Sequence, residues 1–171
     1  MKKKYVWLAL LALALAAVMP LHALAAQEQV VNGGFEEGQD GLPTGWSLYA
    51  WHAGSDFSDV QVVEEAGNAR LYIHNYSSND VRLYQSVSVQ PNCYYKVSCR
   101  AKVAGVTQGL GANLSVLDTF AASEGLLETH GQWQELTLYL KTGEAQTEIN
   151  LAVGLGGYAA DSMGEAWLDD V

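Results

Sequence analysis

Basic residues are scarce in this chain. It has 9 Lys and Arg against 19 Asp and Glu, and three of the nine (Lys2, Lys3 and Lys4) crowd at its start. Every acid lies beyond residue 26, so the remainder holds six basic residues against 19 acids, a net charge of −13. Such a surface repels nucleic acid phosphates and anionic lipid, and leaves neutral sugars, cations and basic partners as ligands. Cysteine is almost missing as well, with Cys93 and Cys99 alone. On one strand, at ~3.3 Å per residue, they stand about 20 Å apart, too far for a disulfide, which needs Cα atoms within ~7 Å. They read as small buried thiols, and their spacing fits no zinc motif.

The signatures of catalysis are thin too. His52, His74 and His130 are scattered, without the spacing of a zinc protease. No G-x-S-x-G elbow presents a serine nucleophile. The acidic pairs Glu36-Glu37, Glu64-Glu65 and Asp169-Asp170 are adjacent, so on strands their members point to opposite faces. A glycosidase needs two carboxylates facing one another across ~5–10 Å. Gly154 to Ala159 matches a dinucleotide fingerprint, but no helix follows and the chain ends within twelve residues. It reads as a turn.

What is present divides in two. Three lysines, the apolar run Trp7 to Val18, Pro20 and the small residues of Ala23-Leu24-Ala25 have the layout of a secretory signal. The expectation is a leader over 1–26, removed after Ala25 or Ala26, with no membrane insertion afterwards. Residues 27–171 hold one domain, with no Pro-rich linker, charge block or repeat. Roughly 145 residues bury 68–70% of their extended surface without help from disulfides.

Within that domain apolar residues recur every second position, in short runs cut by Gly, Asn, Asp and Pro. Val81, Leu83, Val87 and Val89 share one face, as do Tyr95, Val97, Cys99, Ala101 and Val103. Leu114 and Val116, Leu136 to Leu140, and Ile149 to Leu155 continue the pattern, and Glu165 to Val171 closes it. With Gln29–Val31, Trp46–Trp51, Phe57–Val63 and Arg70–His74 the count reaches about ten strands. Thr119–Leu127 is expected to hold one helical turn. The class is all-β, a sandwich or barrel.

Three segments stand out together: Val31-Asn-Gly-Gly-Phe-Glu36 with Gly41-Leu-Pro-Thr-Gly-Trp46; Gln85 to Ser98 with Gly131-Gln-Trp133; and Gly164-Glu-Ala-Trp-Leu-Asp-Asp-Val171. In this order the chain resembles the jelly-roll carbohydrate-binding modules of the galactose-binding-like superfamily, in particular the group joining families 4, 9 and 22. The resemblance implies a two-sheet antiparallel β-sandwich that is secreted or at the cell surface, is not an enzyme and binds a polysaccharide or glycan. It also implies a structural calcium (Ca2+), with the Asn-Gly-Gly-Phe-Glu segment and the terminal Asp-Asp-Val side by side. Calcium takes six to eight oxygens; Gly34 offers a carbonyl, Glu36 and Asp169 carboxylates, and Glu65 a further one. Asp169 is read as an inward carboxylate beside Trp167 and Val171, costly unless paired or bound to metal.

Trp46, Trp133 and Trp167 occupy positions that pack the sandwich in that family. Trp51 ends a strand before a polar loop and is the best platform for a sugar ring. Strand alternation adds Tyr84, Arg100 and Asn113 on outward faces, and Tyr158 sits in a loop that closes one end. In related modules the last strand runs past Val171, so the chain reads as one piece of a larger polypeptide, its last strand truncated. The alternative is a structural or adhesive sandwich with no glycan ligand.

Overall fold

The computed structural model describes residues 29–39 and 41–171; the expected leader over 1–26 lies outside the described residues. Eleven strands follow one another: β1 (Gly38–Gln39), β2 (Leu42–Pro43), β3 (Ser47–Ala50), β4 (Ser58–Glu65), β5 (Asn68–Asn79), β6 (Val81–Ser88), β7 (Tyr94–Ala104), β8 (Ala112–Val116), β9 (Gln134–Lys141), β10 (Glu148–Leu155) and β11 (Ser162–Asp169). They form a four-stranded sheet ordered β3-β6-β10-β8, a five-stranded sheet ordered β4-β5-β11-β7-β9, and the small β1-β2 ribbon. Every pairing is antiparallel. The all-β, two-sheet jelly-roll expectation holds.

The two-residue rhythm is the cause. In β5, Ala69, Leu71 and Ile73 alternate as buried positions with half-buried Arg70, Tyr72 and His74. The layer between the sheets joins Leu71, Ile73, Leu83, Leu151, Val153 and Leu168, all essentially without solvent. At ~25 cal/mol per Å² such burial dominates the stability of the domain.

The two described ends of the chain meet. The Val171 N–H donates to the Gly33 carbonyl at 3.1 Å, and a Cβ on Gly33 would strike the Val171 carbonyl. Asn32 fastens the segment that follows it: its Nδ2 donates to the carbonyls of Glu37 (2.7 Å) and Thr44 (3.0 Å), and its Oδ1 accepts the Glu37 N–H. Phe35 is buried against Trp46, ring centroids 5.3 Å apart, and the Trp46 indole N–H donates to the Asn32 carbonyl. Trp46 is therefore the core tryptophan that the resemblance implied.

Four expectations need correction. Trp133 and Trp167 are not in the core: Ala166 and Leu168 fill it, so alternation turns Trp167 to the outer face of the five-stranded sheet. Asp169 shares that outward parity, yet it is buried. Gln29–Val31 forms no strand. Thr119–Leu127 is not helical; single bridges pair Ser115 with Ala122 and Ala112 with Leu126, covering the edge of β8.

Both cysteines are free, Cys99 buried and Cys93 half-buried, and burial pushes the Cys99 thiol up to about 12. A disulfide-exchange reagent is expected to titrate Cys93 alone in the folded protein and both thiols in denaturant. Two fast-reacting thiols before unfolding would refute the buried placement.

Candidate functional site

The outer face of the four-stranded sheet is built by residues left over from the core. With Val81 and Leu83 inward, Arg82 and Tyr84 point out; with Ile149, Leu151 and Val153 inward, Asn150, Ala152 and Gly154 do the same. Gly154 stands opposite Arg82 in the ladder. A Cβ there would press on the Val81 carbonyl and lie 2.8 Å from the Arg82 Cα. Small residues on β10 thus let the Arg82 side chain lie flat and reach across to β8, where Nη1 donates to the Ser115 Oγ at 3.2 Å. Asp80 grips the same guanidinium with two bonds of 2.7 Å, Nε to Oδ1 and Nη2 to Oδ2. Both partners are buried, so neither charge is tolerable without the other.

Two loops raise walls over this floor. After β8, Asp118 adopts positive φ (62°), and the Thr119 hydroxyl donates to the Val116 carbonyl and accepts the Ala121 N–H. That turn holds Phe120 out in solvent. After β10, Gly156 has φ +100°, and a Cβ would lie 2.9 Å from the Asp80 Cα; only glycine lets this loop pack so close. Asn113 braces it from below, donating to the carbonyls of Gly156 (2.6 Å) and Gly111 (3.0 Å). Tyr158 at the loop's tip meets Phe120 edge-on, centroids 6.2 Å apart, with the rings 80% and 94% exposed. Between floor and walls is a cleft of ≈ 500 Å³, lined also by Tyr49, Tyr84, Asp80, Arg82 and Asn150. That is the size of a small-ligand site.

The five residues expected to line a sugar site are divided. Tyr84 and Tyr158 line the cleft. Asn113 lies beneath it, wholly buried and spent on the loop. Arg100 is on β7, in the other sheet, so strand parity had grouped it with Asn113 across two layers. Trp51, 65% exposed, stands beside the cleft rather than in it: its backbone N–H donates to the Asp80 carbonyl, and its ring meets His52, which stacks on Phe57. Sequence reasoning missed Tyr49, Asp80, Arg82, Phe120 and Asn150. The outward Asn150-Ala152-Gly154 series on an otherwise apolar strand was the available signal.

The expected metal ligands lie at the seam of the chain ends. Asp169 is only 2% exposed. Its Oδ2 accepts the Asn68 Nδ2 at 2.8 Å and its Oδ1 the Asp170 N–H at 2.8 Å. The nearest guanidinium nitrogen, Arg70 Nε, is 3.7 Å away and has no hydrogen-bond partner. Burial raises the Asp169 carboxyl above its usual range, and the Asp170 and Glu36 charges add to it. Among the described residues the Glu36 carboxylate receives only the Ala69 N–H, at 3.3 and 3.4 Å. Glu65 turns away to Arg70 and Lys102. Among the described residues no three His, Cys, Asp or Glu side chains gather as a ready-made site. Buried, under-compensated Asp169 and exposed Glu36, with the turn carbonyls, are hard oxygen donors of the kind a calcium ion takes.

Removing one member of the buried pair tests the floor. Asp80→Ala is expected to cost about 3–5 kcal/mol, lowering the melting temperature by roughly 10 °C, with partial recovery in Asp80→Ala/Arg82→Met. A melting curve within a degree of wild type would show that the pair does not hold the floor.

No protein-family model matches the chain. Over 137 residues, 77% of this chain, it is 29% identical to exochitinase 1 of Streptomyces olivaceoviridis, and it spans only 20% of that protein's length. Among solved structures it is similar to TmCBM61 in complex with β-1,4-galactotriose (TM-score 0.54, 18% identity, 85% of this chain and 96% of that one). It is similar to a CBM4 module (TM-score 0.50, 20% identity, 82% and 96%), and to the enzymatically active domain of tailspike protein 4 of bacteriophage CBA120 (TM-score 0.57, 14% identity, 82% and 20%). The chain thus has the two-sheet jelly-roll fold seen in carbohydrate-binding modules.

Proposed function

We propose that the chain is a secreted, non-catalytic carbohydrate-binding domain whose cleft takes a single neutral glycan chain. One observation carries the reading: aromatic rings and a neutralised Asp80–Arg82 pair share a cleft of ligand size. A pyranose presents apolar C–H faces and a belt of hydroxyls. Tyr49, Tyr84, Phe120 and Tyr158 suit the faces; Arg82, Asp80 and Asn150 suit the hydroxyls. Because Asp80 cancels the Arg82 charge, the floor has no call for an anionic sugar. The solved relative with galactotriose and the partial likeness to a chitinase support a glycan of β-linked hexoses. Exposed Trp51 extends the platform at the rim. The short span of the chitinase that is matched supports a domain that works beside others.

Titration with β-1,4-galacto- and chito-oligosaccharides on a glycan array and by calorimetry tests this. Phe120→Ala and Tyr158→Ala are each expected to weaken binding about ten-fold, roughly 1.4 kcal/mol, and Trp51→Ala less. A folded wild-type protein that binds no soluble glycan would end the reading.

For the seam, we propose that Glu36, Asp169 and the Gly34 carbonyl hold a structural calcium. The ion supplies positive charge to two carboxylates and ties the chain ends together. Chelation is expected to lower the melting temperature by several degrees in wild type and by nothing in Asp169→Ala. An unchanged wild-type curve under chelator would refute the site.

A further inference from the structure

The opposite side of the sandwich carries a second aromatic surface. The parity that sends Leu71, Ile73, Ala166 and Leu168 inward turns Tyr72, His74, Tyr76 and Trp167 out on the five-stranded sheet. Trp167 and Tyr72 are cross-strand partners with centroids 5.2 Å apart. From Tyr72 the rings continue along β5, 6.3 Å to His74 and a further 4.2 Å to Tyr76, which is 50% exposed. In the other direction Lys102 lies over Trp167 at 4.6 Å and over Trp133 at 5.5 Å. The core layer uses none of these rings.

Charge sets this face apart. Five of the six basic residues beyond the leader project from it: Arg70, Lys96, Arg100, Lys102 and Lys141. Asp59, Glu65, Glu135, Glu165 and Asp169 share the face, so it is close to neutral and the rest of the chain carries the −13. A neutral polymer meets a face without net charge here, and polar partners for hydroxyls stand beside the rings. The Tyr72 hydroxyl donates to Glu165 at 3.2 Å and the Gln61 amide to Asp59 at 3.0 Å. Tyr72 and Trp167 sit side by side on neighbouring strands, and His74 and Tyr76 carry the rings on along β5, so an extended chain lying on the surface meets several rings. Unlike the walled cleft, this is a sheet face. It suits chains already packed side by side.

We propose that the outer face of the five-stranded sheet is a second binding site, which lies against the surface of an insoluble neutral polysaccharide such as chitin or cellulose. It is independent of the cleft reading. With one site on each side of the sandwich, the domain bridges a particle and a free chain.

Two variants and two assays separate the sites. Depletion from suspension by powdered chitin and cellulose reads the sheet face; calorimetry with soluble oligosaccharides reads the cleft. Trp167→Ala/Tyr76→Ala is expected to lose at least five-fold in partition onto powder and to keep wild-type affinity for oligosaccharides. Phe120→Ala/Tyr158→Ala is expected to do the reverse. His74→Ala/Tyr76→Ala, confined to the exposed end of the ladder, guards against a folding defect and should lower partition in the same direction. Wild-type binding to neither powder overturns the proposal, as does partition unchanged by the sheet-face variants. So does a wild-type dimer in sedimentation that these variants dissociate, because the face would then be a self-interface. Powder binding without soluble binding would sink the cleft reading and leave this one standing.

Discussion

Between the two sheets, Leu71, Ile73, Leu83, Leu151, Val153 and Leu168 meet without solvent, and the parity of that layer decides where every other side chain goes. A strand has two faces, so each residue given to the core assigns its neighbours to the outside. On β6 this puts Arg82 and Tyr84 into the cleft; on β11 it puts Trp167 on the opposite surface. A one-residue slip in either strand would move an arginine or a tryptophan into the apolar layer, at a cost the fold does not bear.

Burial of charge is handled differently at the two polar sites. In the cleft, Asp80 and Arg82 satisfy each other with two short bonds, and Ser115 takes a third donor. That arrangement balances both charges and leaves the remaining N–H groups of Arg82, with the aromatic walls, to make the outer contacts. At the seam, Asp169 accepts two short hydrogen bonds, but its guanidinium partner stands 3.7 Å off and Glu36 adds like charge. An incompletely balanced carboxylate in a dry place is the usual setting for a bound cation.

Much of this could be read from residues alone, and the misreadings share one cause. The two-residue rhythm located nine of the eleven strands, β3 to β11, because alternation is local. The meeting of Gly33 with Val171 followed from the resemblance. Sheet membership did not follow, because pairing is non-local: β6 lies beside β10, and β11 between β5 and β7. Arg100 and Asn113 therefore looked like neighbours although they are on different sheets. The resemblance places Trp133 and Trp167 in the core, while the buried Ala166 and Leu168 on either side of Trp167 are the better guide to its face. Phe120 and Tyr49 come to the cleft through loop closure and lateral pairing, neither of which periodicity reports.

The seam and the aromatic surface are joined through one residue. Asp169 projects on the outer side of β11, paired in register with Arg100 and approached by Arg70. Both guanidinium groups lie over Trp133, at 5.4 and 4.8 Å. The indole thus caps the two cations that flank the buried carboxylate. This explains how an outward aspartate comes to be dry, and why Trp133 is half-buried without belonging to the core. Closure of the chain ends and placement of the ring ladder are consequently not separate features. A change that loosens Asp169 removes one of the two carboxylates beside Arg70 and weakens the support under Trp133, at one end of the ladder that Trp167 and Tyr72 continue.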